Sequence, residues 1–417
     1  MKYLLAGILL VSAMVRASDW PQFLGPARNG VYPGDDLAET WPKDGPPILW
    51  EKKVDQGFSG PVVASGKVIL FHRMENKEII DCLEAQTGKA VWKFDYPTAY
   101  RDDFGFDEGP RATPAIADGR VYTYGAEGEL NCTDFATGKS VWRVNARKEF
   151  QAPKGFFGIA CSPLIEGNAV MLIVGGREKA GVVAFDKSNG KILWRATDDE
   201  ASYASPRAAT VAGRRYVLFL TRAGLVGADP INGKVLFDFP FRPPMRNSVT
   251  AATPVIIDDL IFLSASYGTG SVLLKLQENK PQKIWESNDA LSNHYATSVH
   301  HGGFLYGIHG RTDPGFEPPA SLRCIELRTG KLVWEQPAFG AATLMLAGDQ
   351  LLILTERGEL IRAPASPAGF KPSARAQILP TQVRAHPALA EGLFYARSKD
   401  QLVCLSLKRT PPMPEHK

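Results

Sequence analysis

The chain alternates short apolar segments with tight polar turns, and few of its segments carry the apolar spacing of an amphipathic helix. One turn phrase recurs five times, namely Gly-Lys followed, three residues after the Lys, by a large aromatic residue. Because glycine supplies the positive φ of a tight hairpin, each phrase predicts the turn between the third and the outer strand of a repeated β unit. The phrases run from Gly88 to Trp92, Gly138 to Trp142, Gly190 to Trp194, Gly233 to Phe237 and Gly330 to Trp334.

A second marker stands early in each unit. It consists of a small residue, usually Ser or Thr, usually Pro, and then an apolar stretch that ends in a tight turn. The marker positions are Pro61, Pro114, Pro163, Pro206, Pro254, Ser298, Leu344 and Pro387. A β-rich repeat with a period in the forties is typical of a propeller whose blades are four-stranded sheets. The sequence therefore predicts an all-β, eight-bladed β-propeller.

The last unit begins at Pro387 and lacks the Gly-Lys turn and the aromatic residue of the others. The segment around Trp50 has the opposite character, because it looks like an outer strand with no earlier strands before it. We expect this strand to lie beside the one holding Cys404 and to complete the C-terminal blade, which removes the exposed edges of an open array. The predicted organisation is an N-terminal extension over residues 18–45, a single propeller over residues 46–408 and a disordered tail over residues 409–417.

Residues 1–17 have the pattern of a secretory signal peptide. Lys2 precedes an apolar run, and Val15-Arg16-Ala17 gives a small-x-small site ahead of Ser18, so we expect cleavage near Ala17 and a periplasmic or secreted protein. The run is too short to span a membrane. Loss of Lys2 and Arg16 reduces the formal net charge from +4 to +2. This near-neutral chain has no concentrated basic face of the kind that binds nucleic acid.

Four of the five cysteines share one position of the repeat. Cys82, Cys132 and Cys324 each lie six residues before the turn glycine, and Cys404 occupies the matching place in the last unit. Equivalent positions in different blades are too far apart for a disulfide, so these residues are expected to be small buried hydrophobes. Cys161 lies outside this frame, and its role is left open.

The loops that lead into the innermost strands surround one mouth of the central channel, which is where propellers usually bind. We predict a binding site at this mouth, with no catalytic residue and no metal site assigned. Two arginines and three aromatic residues stand three positions before the markers, whereas the next position is Ser, Ala or Cys throughout. The predicted mouth residues are Phe58, Arg111, Tyr203, Tyr295 and Arg384 in the frame, with Arg207, Arg246, Asn247, Asn293, His294 and His386 on the same loops.

Two long insertions open onto the same face. Residues 100–109 carry Asp103, Asp107 and Glu108 among aromatic residues, and residues 309–319 carry Arg311 and Asp313. Long insertions tend to be functional or disordered, so we expect them to contribute to the mouth, and idle solvated loops are the alternative. Four of the seven histidines lie between residues 294 and 309, but strand alternation and position argue against a single metal site that uses all four.

The repeat unit is similar to a known one. Its Ser-Pro opening, its Thr-Gly-Lys turn and its closing Trp resemble the pyrroloquinoline-quinone (PQQ)-type propeller repeat, in the superfamily that includes BamB. The opening segment of residues 19–30 and the later segments 266–270 and 291–294 resemble exported members of that superfamily. The resemblance covers nearly the whole chain after residue 17 and implies the propeller fold, whereas one propeller can host unrelated functions.

The resemblance implies two functions, and the mouth residues suggest a third. We favour a periplasmic binding or scaffolding protein without a cofactor, which presents the mouth and its loops to a periplasmic or outer-membrane protein or to a polysaccharide. The first alternative is a quinoprotein dehydrogenase holding PQQ and Ca²⁺, although the chain lacks the adjacent cysteines and the Cys-x-x-Cys-His segment found in the family's alcohol dehydrogenases. The second is an exported carbohydrate-active enzyme that uses the acids of residues 100–109 near Arg111.

Overall fold

Eight β-sheets surround a central axis. The computed structural model describes residues 19–245, 248–313, 315–380 and 382–409. In these residues seven sheets have four antiparallel strands, and one has a fifth strand added in parallel. The innermost strands of most neighbouring sheets contact one another around the ring. The predicted eight-bladed propeller is confirmed. The predicted signal peptide lies outside the described residues.

The strands are numbered in chain order. Before the first blade come β1 (Val31–Tyr32) and β2 (Ile48–Lys53). Blade 1 contains β3 (Val62–Ala64), β4 (Lys67–Met74), β5 (Lys77–Glu84) and β6 (Ala90–Pro97). Blade 2 contains β7 (Ala115–Ala117), β8 (Arg120–Tyr124), β9 (Glu129–Asp134) and β10 (Ser140–Asn145), and is followed by the short helix α1 (Ala146–Glu149). Blade 3 contains β11 (Leu164–Glu166), β12 (Ala169–Ile173), β13 (Val182–Asp186) and β14 (Ile192–Ala196).

The second half repeats the same pattern. Blade 4 contains β15 (Arg207–Val211), β16 (Arg214–Leu220), β17 (Gly224–Ala228) and β18 (Val235–Pro240). Blade 5 contains β19 (Val255–Ile257), β20 (Leu260–Ala265), β21 (Gly270–Gln277) and β22 (Lys280–Ser287). Blade 6 contains β23 (Val299–His301), β24 (Phe304–His309), β25 (Ser321–Glu326) and β26 (Leu332–Gln336). Blade 7 contains β27 (Ala342–Ala347), β28 (Gln350–Thr355), β29 (Glu359–Pro364) and β30 (Ala374–Gln377), and blade 8 contains β31 (Ala388–Ala390), β32 (Leu393–Arg397) and β33 (Gln401–Ser406).

The ring is closed by the N-terminal strand. Strand β2 pairs antiparallel with β33 as the outer strand of blade 8, and Trp50 lies opposite Cys404. The predicted closure is confirmed. Since β2 lies far from β33 in sequence, the backbone hydrogen bonds between them join the N-terminal and C-terminal parts of the chain. They also give blade 8 the four strands that the other blades have.

A tryptophan on the outer strand joins each of six blades to the next one. In every case the indole Nε1 donates to a backbone carbonyl of the following blade, while the ring fills the gap between the two sheets. The donors and acceptors are Trp50 to Ala85, Trp92 to Phe135, Trp142 to Lys187, Trp194 to Pro230, Trp285 to Leu327 and Trp334 to Ser366, at 2.9 to 3.2 Å. We call this contact the tryptophan latch.

The turn glycine is part of the same latch. A Cβ atom at Gly138 would lie 2.5 Å from the ring of Trp92, the tryptophan of the preceding blade, and one at Gly88 would lie 2.7 Å from Trp50. Both glycines also have a positive φ, of 70° and 67°. The predicted conformational reason for glycine is therefore correct, and close packing of a neighbouring ring is a second reason that the local sequence does not reveal.

The hydroxyl of the second marker links the innermost strands. Each side chain accepts a hydrogen bond from the backbone N–H at the equivalent position of the blade before it, which explains the preference for Ser or Thr there. The pairs are Gly60 to Thr113, Thr113 to Ser162, Ser162 to Ser205 and Thr253 to Thr297, at 2.9 to 3.2 Å.

All five cysteines are buried and free of disulfides. Cys82, Cys132, Cys324 and Cys404 lie on third strands, each opposite the outer-strand tryptophan of its own blade. Their prediction as small buried hydrophobes is confirmed. Cys161 is also buried, and its Sγ accepts a hydrogen bond from the backbone N–H of Ile173 at 3.4 Å.

The N-terminal extension fills the channel. Trp20 pairs with Val63 on β3, Pro21 accepts from the backbone N–H of Ile116, and β1 pairs in parallel with β27. The hydroxyl of Tyr32 then accepts from the backbone N–H of Gly392 at 3.0 Å. We call residues 20–32 the plug. The two ends of the plug lie near turns that join first and second strands, at the end of the disc opposite the predicted mouth, and the residues between them reach into the channel toward the mouth.

Truncation of a latch tryptophan should destabilise the ring. We expect Trp92→Ala to lower the free energy of unfolding by about 3 to 5 kcal/mol, because it removes a large ring from between two blades together with its hydrogen bond. Chemical denaturation measures this change. The exposed neighbour Val91 provides the control, since Val91→Ala should change stability by less than about 0.5 kcal/mol. A loss below about 1 kcal/mol for Trp92→Ala would contradict the assignment.

Candidate functional site

The loops that lead into the innermost strands surround a cavity of about 180 Å³ at the mouth. Its floor is formed by Phe23 of the plug, so the channel opens as a cup at this end. Side chains from the loops of most blades form the wall. The lining includes Phe23, Phe58, Phe106, Arg111, Thr113, Phe157, Ser162, Tyr203, Ser205, His294, Tyr295, Thr297, Asp313, Thr343, Arg384 and His386.

Two arginines and one phenylalanine form a part of the wall that is both cationic and aromatic. The guanidinium groups of Arg111 and Arg384 lie 5.7 and 5.8 Å from the ring centre of Phe58, within the range of a cation–π contact. Arg384 donates through Nε to Glu356 at 2.6 Å, and Arg111 donates to the backbone carbonyl of Asp107 at 3.0 Å. The cup therefore presents positive charge beside an aromatic surface.

His294 is held on the wall by neighbours on both ring nitrogens. Its Nδ1 accepts from the backbone N–H of Thr312 at 3.2 Å, so Nε2 carries the proton and donates to the hydroxyl of Tyr267 at 3.1 Å. Burial lowers the pKa of His294 to about 4, against the opposing effect of Asp313. The imidazole is therefore neutral at physiological pH.

His386 lies deeper, beside the plug. Its ring stacks on Trp20 with an interplanar angle of 8°, and its two nitrogens face the backbone carbonyls of Pro387 and Leu344. Burial lowers its pKa to about 4. Its aromatic and backbone contacts fit a residue that joins the plug to blades 7 and 8.

Four phenylalanines form a cluster at one side of the cup, in which Phe104 and Phe106 are exposed and Phe156 and Phe157 are half-buried. Phe104 and Phe106 belong to the insertion of residues 100–109, and Phe156 and Phe157 belong to the loop that leads into blade 3. Phe104 lies 5.2 to 6.4 Å from the other three rings and is 56% exposed. The ring centre of Phe157 also lies 5.7 Å from that of Tyr203, which lines the cup. We call these four residues the aromatic rim.

The acids of the insertion maintain the shape of the rim. Asp103 pairs with Lys154 of the facing loop at 2.6 Å, and Glu108 pairs with Arg73 at 3.2 Å. The buried carboxylate of Asp107 accepts from the backbone N–H of Gly109 at 2.7 Å. These three predicted site residues thus hold loops in place. They do not form the facing pair of free carboxylates that glycoside hydrolysis uses.

The second insertion is ordered around Arg311. Its guanidinium lies 4.3 Å from the ring centre of Tyr267 and 4.2 Å from that of Phe316, and it pairs with Asp313 at 2.5 Å. Asp313 lines the cavity and lies 4.0 Å from Nε2 of His294. This cluster brings the insertion to the same cup as the first one.

Seven predicted mouth residues line the cavity together, and the others are placed differently. Asn293 is buried, where its side chain bonds to Ile308 and Ser298 and stabilises the loop. Arg207 is buried on β15, below the mouth. Arg246 and Asn247 lie outside the described residues. The seven that meet at the cup are Phe58, Arg111, Tyr203, His294, Tyr295, Arg384 and His386.

Several lining residues were not among the predicted ones. Phe157 follows another phenylalanine between two glycines in the segment of residues 154–158, and that aromatic pair in a glycine-rich loop is a signal that points to the rim. Phe106 lies in an insertion that was singled out for its acids. Phe23 reaches the cavity through the path of the plug, which the repeat pattern does not describe.

A comparison with protein-family profiles identifies the family to which the chain belongs. The profile of the family described as outer membrane protein assembly factor BamB matches residues 76–315. The chain belongs to this family of PQQ-like propellers. BamB of Burkholderia pseudomallei is 25% identical over 286 residues, which cover 67% of this chain and 69% of that protein. BamB of Xanthomonas campestris is 32% identical over 99 residues, which cover 24% of each.

Quinone-dependent enzymes share shorter stretches with the BamB-type chain. Quinohemoprotein alcohol dehydrogenase ADH-IIG of Pseudomonas putida is 28% identical over 157 residues, 36% of this chain and 21% of that enzyme. The chain thus spans only about a fifth of the length of the enzymes it matches. Among solved structures, BamB from Moraxella catarrhalis superposes with a TM-score of 0.62 at 15% identity over 89% of this chain and 99% of its own. The quinohemoprotein alcohol dehydrogenase of Comamonas testosteroni gives 0.65 at 16% identity over 96% and 82%, so both likenesses show the fold alone.

The donor set at the mouth does not fit a quinone–calcium pair. Calcium takes six to eight oxygen ligands, commonly from several carboxylates. In the described residues no group of three or more His, Cys, Asp or Glu side chains could hold a metal ion. The carboxylate of Asp313, on the cavity wall, is already paired with Arg311.

The protonation of His294 can be tested through pH. Because its pKa in the folded protein, about 4, lies below the ordinary 6.5, the unfolded state binds more protons between these values. We therefore expect the contribution of His294 to stability to fall as the pH falls from 6.5 to 4. Unfolding free energies of wild type and His294→Gln, measured across this window, should converge toward pH 4. An NMR titration midpoint near 6.5 for His294 would contradict the burial argument.

Proposed function

We propose that this chain is an exported, non-catalytic propeller that binds a segment of an envelope protein in its mouth. The observation that carries the proposal is the aromatic rim beside the cup, because a cluster of aromatic rings that includes the exposed Phe104 and Phe106 is typical of an interaction surface. Aromatic residues and arginine are also the types that dominate the binding energy of protein interfaces. Arg111 and Arg384 supply the second type within the same cup.

The chemistry of the wall fits a peptide segment. The hydroxyls of Tyr295 and Thr343 are buried and have no hydrogen-bond partner within the described part of the chain. Burial raises the pKa of Tyr295 above its ordinary value, so its hydroxyl keeps its proton and remains a donor. A peptide offers backbone carbonyls to such donors and an apolar side chain to the phenylalanines around them. The partner is therefore predicted to bind in an extended segment rather than across a flat face.

The insertions favour binding because their shape is fixed in advance. The ion pairs Asp103–Lys154 and Glu108–Arg73 hold the loops of the rim, and the Arg311–Asp313 pair holds the second insertion. Ordering loops before association reduces the conformational entropy lost on binding. This arrangement supports a binding function for these loops over the alternative of idle, solvated ones.

The family supports the class of partner. The Burkholderia pseudomallei relative, which matches 67% of this chain, bears the name outer membrane protein assembly factor BamB. From that name and from the predicted signal peptide at residues 1–17, we infer that the chain works in the periplasm or outside the cell, on a periplasmic or outer-membrane protein. In the residues that the structure describes, no helix is long and apolar enough to span a bilayer.

Site-specific photocrosslinking tests the mouth. With a photoreactive phenylalanine analogue at Phe104, illumination of the source cells should give an adduct of higher mass that protease digestion removes. The matched control is Ile231, which is 85% exposed in a hairpin of blade 4 at the opposite end of the disc. The same analogue at Ile231 should give no such adduct. Equal labelling at both positions would overturn the proposal, and a protease-resistant adduct would favour a polysaccharide.

Quinone binding tests the enzymatic alternative directly. We expect the purified protein to retain less than one equivalent of PQQ after incubation with PQQ and Ca²⁺ and removal of free ligand, because the described residues contain no group of three or more His, Cys, Asp or Glu side chains that could hold the metal. The absorbance of the quinone measures retention. Stoichiometric, calcium-dependent retention that Arg111→Ala abolishes would replace the binding function with the quinoprotein one.

A further inference from the structure

Two arginines place their guanidinium groups inside the channel behind the cup. Arg28 belongs to the plug and is 2% exposed, and Arg207 begins the innermost strand of blade 4 and is 7% exposed. Burial lowers the pKa of each to about 10, so both remain charged at neutral pH, and Arg207 adds to the effect at Arg28. A buried charge is costly unless a counter-charge accompanies it, and two such charges also repel each other.

The partners of both arginines are neutral. Arg28 donates to the backbone carbonyls of Pro163 at 2.7 Å and Ser162 at 3.1 Å, and to the side-chain oxygen of Gln22 at 3.2 Å. Arg207 donates to the backbone carbonyl of Pro254 at 3.3 Å. The Nε atoms of both have no partner among the described residues. A guanidinium has five N–H donors, so most of the donors of Arg207 are still available to a ligand.

The other deeply buried arginines of the chain are treated differently. Arg73 forms an ion pair with Glu108, and Arg397 has the carboxylates of Asp55, Asp107 and Asp400 close enough to stabilise its charge. Within the described residues, neither Arg28 nor Arg207 has an ion pair with a carboxylate. The fold therefore places carboxylates near Arg73 and Arg397, although burial lowers the pKa of Arg397 to about 10 as well, and it gives Arg28 and Arg207 no carboxylate partner among the described residues. Arg28 and Arg207 lie near enough for the charge of one to act on the other.

The nearby thiol does not supply the missing charge. Cys161 lies close enough to Arg28 to interact with it electrostatically, but burial raises the pKa of the thiol to about 12. Cys161 thus remains a neutral thiol at physiological pH. Neither Cys161 nor a carboxylate of the described residues therefore pairs with the charge of Arg28.

We propose that Arg28 and Arg207 form a buried oxyanion site that takes phosphate, sulfate or a small carboxylate. The planar fork of a guanidinium matches the oxygen pairs of these ions, and charge-assisted hydrogen bonds are about twice as strong as neutral ones. Because one arginine comes from the plug and the other from blade 4, the anion ties the plug to the ring. The site is separate from the protein-binding function of the mouth, and either can fail without the other.

Thermal unfolding of the purified full chain tests the site. At constant ionic strength in chloride, we expect the midpoint to rise with the concentration of phosphate, sulfate or acetate, because a ligand of the folded state stabilises it by mass action. Separate titrations identify which of the three ions binds. In Arg207→Met, which keeps an unbranched stem and removes the guanidinium, the affinity should fall at least about tenfold. Arg111→Met, at the mouth, is the matched control and should keep the rise.

Three outcomes would overturn the site: no rise with any of the three ions, a rise that persists in Arg207→Met, or a rise that is lost in Arg111→Met instead. Arg207→Lys covers the case in which Arg207→Met does not fold, since it keeps the charge and loses the planar fork. It should fold and bind the anion more weakly than wild type. Calorimetric titration of wild type with the same ion provides an independent measure, and absence of heat there would also reject the proposal.

Discussion

The tryptophan latch is the interaction on which the rest of the structure depends. Each of the six latches fixes one blade to the next through a hydrogen bond to a backbone carbonyl, and in five of them the ring also packs on a turn glycine, as Trp92 does on Gly138. The angle between neighbouring blades follows from this contact, and the diameter of the channel follows from the angle. Because Trp50 makes the same latch from β2 to Ala85, closure of the ring uses the contact found at five other blade junctions.

The plug turns a ring with an open channel into a cup. Without Phe23 the mouth would lead into the channel, and the arginines and aromatic residues around it would face water on both sides. With Phe23 as floor, the same residues surround an enclosed volume in which a cation–π pair such as Arg111 with Phe58 is partly shielded from solvent. The plug also carries Arg28 into the interior, so one segment creates both the binding cup and the unbalanced charge below it.

The sequence predicted those features that repeat. Blade number, ring closure and the buried cysteines follow from marker residues in one frame, and the frame also located Arg111, Tyr203, Tyr295 and Arg384 on a common cup. Features without a repeat were not predictable. The path of the plug depends on contacts far apart in sequence, so the floor at Phe23 was not foreseen. The aromatic rim depends on contact between two loops that are separate in sequence. The acids of residues 100–109 suggested acid–base catalysis, but in the structure they bind backbone N–H groups and basic side chains.

Arg207 shows how position within a repeat separates two functions. The mouth residues stand three positions before the second repeat marker, in the loop that precedes the innermost strand, and their side chains line the cup. Arg207 stands one place after Pro206, where β15 has begun, and is enclosed by the plug and the neighbouring blades. Arg111 is largely buried but lies on the wall of the cup, where a partner can reach it, whereas a guanidinium that is sealed inside needs a counter-charge. The same side chain type therefore serves recognition at Arg111 and, four positions further along the frame, demands an anion at Arg207.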